Sequence, residues 1–213
     1  MPPAVVAGMR AVRAAVAASP AGRAHRPAAA RRMAACGASS TVRRGGGGEA
    51  PVEREKWAAL LAESHLRVVG RPLLPDLTAD FLARADAADV EARIEAWGGC
   101  VLSHDLPADA PRFNYANPAG MRAFEMPDEE TLCATESRKS APDTGTREER
   151  AELLHRVTTQ GFIDDYRGVR VSTTGRLFRL EGATVWNVRT SDGEVVGQAA
   201  AFERTTPVAS ADV

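Results

Sequence analysis

The last third of the chain, residues 159–204, constrains the fold most, because it reads as three antiparallel strands in succession. A β-rich run from Gly161 to Val171 meets a turn at 172–175. A second run, Arg176 to Val188, meets a turn at Ser191-Asp192-Gly193, and a third spans Val195 to Phe202. An Asp-Gly pair between β-rich runs signals a hairpin, since a two-residue turn needs positive φ. In the middle run Phe178, Leu180, Gly182, Thr184, Trp186 and Val188 share one parity, and Arg179, Glu181 and Asn187 the other. The alternation predicts a sheet with one buried and one solvated face, with Phe178 and Trp186 on the same side. The buried face needs cover, and the helices that can supply it lie earlier in the chain.

Charge is unevenly spread. Residues 1–48 hold eight of the 27 basic residues and no carboxylate, so the rest of the chain sets 19 basic residues against all 28 acids, a net of −9. An acidic body argues against a nucleic-acid partner. The first 48 residues contain no Leu, Ile, Phe, Trp or Tyr and are rich in Ala and Arg. Such a segment cannot bury enough apolar surface to offset its ordering entropy, and its composition matches an organellar transit peptide. The expectation is a disordered leader over 1–48, chloroplast before mitochondrion, with Arg43 to Gly48 as a linker. Nothing in the chain is long and apolar enough to span a bilayer, so no membrane partner is expected.

Helical patterning begins after Pro51. Trp57, Leu60, Leu61, Ser64 and Val68 form one face of a helix over 52–69, which Gly70 and Pro72 end. That stripe is expected to cover the sheet or to pair with a second copy in a homodimer. A short helical piece is expected over 78–85, and another helix over 89–97 capped by Asp89. Short strands follow at 98–104 and 112–116. Asn117-Pro118 sets an N-cap and a first helical residue, Asp128 opens a further acidic helix start, and Thr146 with Glu149 reads as a capping box for a helix over 147–160. Leu153, Leu154 and Val157 are its core face. The fold class is α+β: a five-stranded antiparallel sheet with central short helices and an N-terminal flanking helix. The domain is expected over 52–204, with a disordered tail over 205–213.

Arg112-Phe-Asn-Tyr-Ala-Asn-Pro-Ala-Gly-Met-Arg-Ala-Phe124 resembles the strand-to-helix signature of PAS domains. The closer resemblance is to the MEKHLA domain family, a PAS-like group named for a hexapeptide whose counterpart is Ala62-Glu-Ser-His-Leu-Arg67. Other family marks include Leu102-Ser-His104, Ser137-Arg138, Arg147-Glu-Glu-Arg150, the run from Gly161 to Arg170, and Ala183-Thr-Val-Trp-Asn187. The resemblance covers Trp57 to Phe202 and is to the stand-alone form of bacteria and algae. It implies a PAS-like sheet and a non-enzymatic sensory or protein-interaction module. It also implies a small apolar or heteroaromatic ligand held between sheet and helices, and a signal carried by the N-terminal helix. No cofactor is specified.

On that resemblance the pocket candidates are Asn114, Tyr115, Asn117, Arg138, Phe178, Trp186 and Gln198. The plainer reading of each is core packing, with Asn117 as a cap. The alternative function is a small enzyme in the same cavity, with His104 or Asp165 as base. Ser103-His104-Asp105 is no hydrolase triad, because consecutive strand residues alternate faces. Cys133 lacks the Asn-Cys-Arg-Phe setting of a flavin-reactive cysteine, and no cysteine or histidine spacing suggests a metal site.

Overall fold

The computed structural model describes residues 54–106, 111–142 and 144–209. The expected leader, 1–48, lies outside them. Three helices come first: α1 (Arg54–Val69), α2 (Ala79–Leu82) and α3 (Ala87–Ala96). Strands β1 (Cys100–Asp105) and β2 (Phe113–Ala116) lead to α4 (Pro118–Ala123), α5 (Glu129–Ala134), a 3-10 turn at Ser137–Ser140 and α6 (Thr144–Gln160). The chain closes with β3 (Phe162–Val171), β4 (Leu177–Arg189), β5 (Val195–Phe202) and β6 (Arg204–Pro207). All pairings are antiparallel and the sheet order is β2-β1-β5-β4-β3, with β6 also on β4.

Local chemistry explains most boundaries. Asn117 caps α4 by accepting from Gly120 N, with Pro118 at the first helical position, where its missing N–H is not needed. Asp128 caps α5 by accepting from Thr131 N. Gly161 ends α6 at φ +96°, and Gly193 turns β4 into β5 at φ +89°. Two caps differ from expectation. Asp86, not Asp89, caps α3, its carboxylate accepting from Asp89 N. The backbone of α6 is already helical at Thr144, so Thr146 lies inside the helix.

The sheet has six strands and both faces are covered, which corrects the expected five strands and solvated face. On one face α1 and α3 pack over Trp186, Val188, Ala199, Ala201, Val101 and Tyr115. On the other, α4, α5 and α6 enclose a second cluster with Phe178, Leu180, Leu102, Phe113, Phe124 and Phe202. Phe178 and Trp186 are therefore on opposite faces. The cause is a fault in the β3–β4 ladder: Gly182 and Asp165 both take positive φ, +64° and +52°, and the register shifts between Ile163 and Gly168. One extra residue inverts the parity of everything beyond it. Because both faces are covered, six consecutive residues, Ala183 to Val188, are buried.

The apolar stripe of α1 is used within the chain. Trp57 and Leu61 are fully buried, and burial of each contributes roughly 1.5–3 kcal/mol. Trp57 Nε1 donates to Ser103 Oγ at 2.9 Å, and Ser64 Oγ donates to Asn187 O and accepts from Arg189 N. A homodimer through these buried residues would first require α1 to leave the sheet. The expected tail also needs correction: residues 204–207 form β6, paired with Phe178 to Glu181 of β4.

Candidate functional site

The cavity of interest lies on the face away from α1, between the sheet and α6. Its volume is about 50 Å³. Its apolar lining includes Leu102, Phe124, Leu153, Leu180, Val185 and Phe202. Its polar lining includes Arg150 from α6, Arg170 and Tyr166 from β3, His104 from β1 and Gln198 from β5.

Both arginines are buried, Arg150 at 8% and Arg170 at 5% exposure. Arg150 donates to Ser137 Oγ at 3.3 Å. Arg170 donates to Val169 O at 2.7 Å and to Tyr166 Oη at 2.9 Å. Tyr166 reaches it across Gly168: a methyl group there would collide with the phenol, so the glycine makes room for the ring. Burial and the neighbouring Arg170 charge push the Arg150 guanidinium down to about 9.

His104 Nδ1 lies 3.0 Å from Asp105 O and therefore donates, which leaves Nε2 as an acceptor. Burial holds this imidazole down to about 4, with Arg150 acting in the same direction. It is neutral near pH 7 and a weak base, since a general base works best with a pKa near the operating pH. Asp165, the other expected base, is on the exposed bulge of β3 with 73% of its side chain in solvent, away from the cavity.

The structure separates the seven pocket candidates. Gln198 lines the cavity and donates to Asn187 Oδ1, Thr158 Oγ and Leu154 O at 3.1–3.4 Å. It also borders a larger outer groove of about 730 Å³, where Arg138 lies with Arg150 and His104. Phe178 is stacked edge-on against the wall residue Phe124 at 5.1 Å. The remaining four serve the α1 side or the helix cap. Trp186 abuts His65 at 4.8 Å. Tyr115 donates to Glu95 Oε1 at 3.0 Å under the Arg54 guanidinium. Asn114 accepts from Ser103 Oγ. Asn117 accepts from Val101 N and Gly120 N and donates to Ile94 O and Gly99 O. Its polar atoms are satisfied by backbone, which is a structural role.

Arg150, Arg170 and Tyr166 lie in family marks of the sequence but are not among its pocket candidates. A signal existed for Arg150: it precedes Leu153, Leu154 and Val157 at i, i+3, i+4 and i+7, a charge in register with the apolar stripe of α6.

An antiparallel sheet with short helices over one face and a flanking N-terminal helix over the other defines a PAS-like α+β domain. The chain belongs to the MEKHLA domain family, whose model matches residues 55–207. No curated protein matches it. Among solved structures it is similar to an RNA-binding light-oxygen-voltage receptor, at 17% identity and TM-score 0.49 over 65% of this chain. The match spans 36% of that receptor's length. A PAS domain from Colwellia psychrerythraea is similar at 11% identity and TM-score 0.46, over 58% of this chain and 98% of that one. A light-oxygen-voltage protein from Rhodobacter sphaeroides is similar at 12% identity and TM-score 0.45, over 59% and 70%. A flavin does not fit the cavity here. At about 50 Å³ it is well below the roughly 300–1,000 Å³ of sites for cofactors and drug-sized ligands. Among the described residues no His, Cys, Asp and Glu cluster could hold a metal ion, and no helix is long and apolar enough to cross a membrane.

Proposed function

We propose that the protein is a PAS-like sensory module that binds a small ligand in the cavity between the sheet and α6, and that occupancy biases α1 on the opposite face. The observation that carries this reading is the pair of buried arginines in the lining. Two buried guanidiniums converge there, and neither forms an ion pair with a carboxylate among the described residues. Such groups are costly to bury unless something binds them.

A chain of contacts supports the route to α1. Gln198, in the cavity wall, donates to the Asn187 side chain, and Asn187 Nδ2 donates to Val157 O of α6. The backbone carbonyl of the same Asn187 accepts from Ser64 of α1. A shift of Gln198 or α6 therefore acts on the strand segment that holds the middle of α1. The low basicity of His104 speaks against the enzyme alternative, and the exposed position of Asp165 removes the second proposed base.

The test is native mass spectrometry of the purified full chain, paired with hydrogen exchange over α1 before and after ligand removal. A co-purifying small molecule whose loss speeds exchange in 57–66 is the expected result. A turnover activity abolished by His104→Ala, in a variant that keeps its fold, would replace the sensor reading with the enzyme one.

A further inference from the structure

Among the described residues the closest ion pairs are made by arginines that keep part of the side chain in solvent. Arg54 meets Glu91, Glu95 and Glu129, Arg71 meets Asp164, Arg93 meets Asp76, and Arg176 meets Glu125. The side chains of these four arginines are 23–52% exposed. Arg150 and Arg170 differ: both are buried, and among the described residues they are bonded to neutral oxygens only. A guanidinium has five N–H donors. Among the described residues Arg150 uses one of them in a hydrogen bond and Arg170 two.

We propose that the cavity binds a small organic carboxylate, clamped by the guanidinium groups of Arg150 and Arg170. This rests on the reading above that the cavity is the ligand site. A planar carboxylate matches the guanidinium fork in two parallel hydrogen bonds. Tyr166 adds a donor: its oxygen accepts from Arg170, so its own O–H is left to point at an anion. The remaining polar groups offer an anion little. Gln198 Nε2 donates to protein oxygens, Ser140 Oγ donates to Ser137 O, and His104 presents an acceptor. The lining also holds Leu102, Leu180, Val185 and Phe202, which suit a short carbon body and offer the oxygens of a phosphate no donors. Size sets the limit: at about 10–15 Å³ per water-sized centre, the cavity of about 50 Å³ takes roughly three to five such centres. The depressed Arg150 pKa agrees, since a bound anion would offset both the burial and the Arg170 repulsion. The apolar or heteroaromatic ligand expected from sequence gives way to a charged one.

The experiment is a thermal melt of the full chain titrated with acetate, propionate and pyruvate, against phosphate and chloride at matched ionic strength, with calorimetry on the best binder. A saturable rise in melting temperature is expected for the carboxylates. Arg150→Met should melt at or above the ligand-free wild type, because an uncompensated buried charge is replaced by an apolar chain of similar length. The same variant should bind the carboxylate about tenfold to a hundredfold more weakly. Arg150→Lys, which keeps a charge but loses the fork, is the second variant and should fold and bind more weakly than wild type. Equal carboxylate shifts in wild type and both arginine variants would overturn the proposal, as would a chloride or phosphate response matching the carboxylates. A neutral compound seen by native mass spectrometry, with no carboxylate response, would overturn the anion class and leave the ligand-sensing reading standing. No bound compound and no carboxylate response would remove both.

Discussion

Gly182 and Asp165 face each other across β3 and β4 at a shared fault. Both have positive φ, and a Cβ on Gly182 would lie 3.7 Å from Asp165 Oδ1. This pair decides which face each half of β4 serves. It turns Phe178 and Leu180 toward the cavity side and Trp186 and Val188 toward α1.

Gly182→Val should therefore be costly although the position is exposed. A β-branched residue at φ +64° is strained by about 1–2 kcal/mol or more. The expected readout is a melting temperature lower by several degrees, since about 1 kcal/mol moves a domain of this size by roughly 2–4 °C. An unchanged melt would mean that the fault does not need glycine.

Asn117→Ala removes more than a cap. A simple N-cap loss costs about 1 kcal/mol. Here Val101 N, Ile94 O and Gly99 O lose their side-chain partner together with Gly120 N, in a fully buried setting. Urea unfolding should show a loss of roughly 2–4 kcal/mol. A loss near 1 kcal/mol would indicate that water replaces the side chain.

Gly168→Ala tests the wall geometry without touching either arginine. The added methyl displaces the Tyr166 ring that hydrogen-bonds Arg170. Carboxylate affinity should drop while the secondary structure stays intact by circular dichroism. Unaltered binding would remove Tyr166 from the site.

Acid should destabilise the domain before its carboxylates titrate. His65 and His104 are both held down to about 4 by burial. His65 donates to Arg71 O against the edge of Trp186, with the Arg71 charge opposing its protonation and Asp164 favouring it. Both folded values lie below the usual value near 6.5. Between about pH 6.5 and 4 the unfolded chain therefore binds more protons, and stability falls as pH falls. The two together contribute on the order of several kcal/mol above pH 6.5. Urea midpoints across this range should slope downward toward acid, and His65→Gln should flatten the slope. A slope that His65→Gln leaves unchanged would exclude His65 as a contributor.

The resemblance to the MEKHLA family was readable because its marks are short runs whose residue types answer local needs. Asn117-Pro118 starts a helix, Gly161 stops one, and Asp192-Gly193 turns a hairpin, whatever the rest of the chain does. The stripe of α1 was readable for the same reason, since a 3.6-residue period shows which side must be buried. Site residues were harder to read. Aromatic and amide residues were chosen because pockets favour them, yet Tyr115 and Trp186 belong to the opposite face and Asn117 to the backbone.

Sequence alone determined most of the elements, their order and the Asn117 and Asp128 helix starts, because these depend on neighbours within a few residues, whereas β6 and the cap of α3 escaped it. Only the tertiary structure decided which face each strand residue serves. One positive-φ glycine inverts a period of two, and no composition or alternation pattern announces where that inversion falls. Only the tertiary structure, too, brought Arg150 of α6 beside Arg170 of β3, with no carboxylate among the described residues paired to either. A charge's partner is set by packing between distant segments, so a missing partner is visible only once those segments have met.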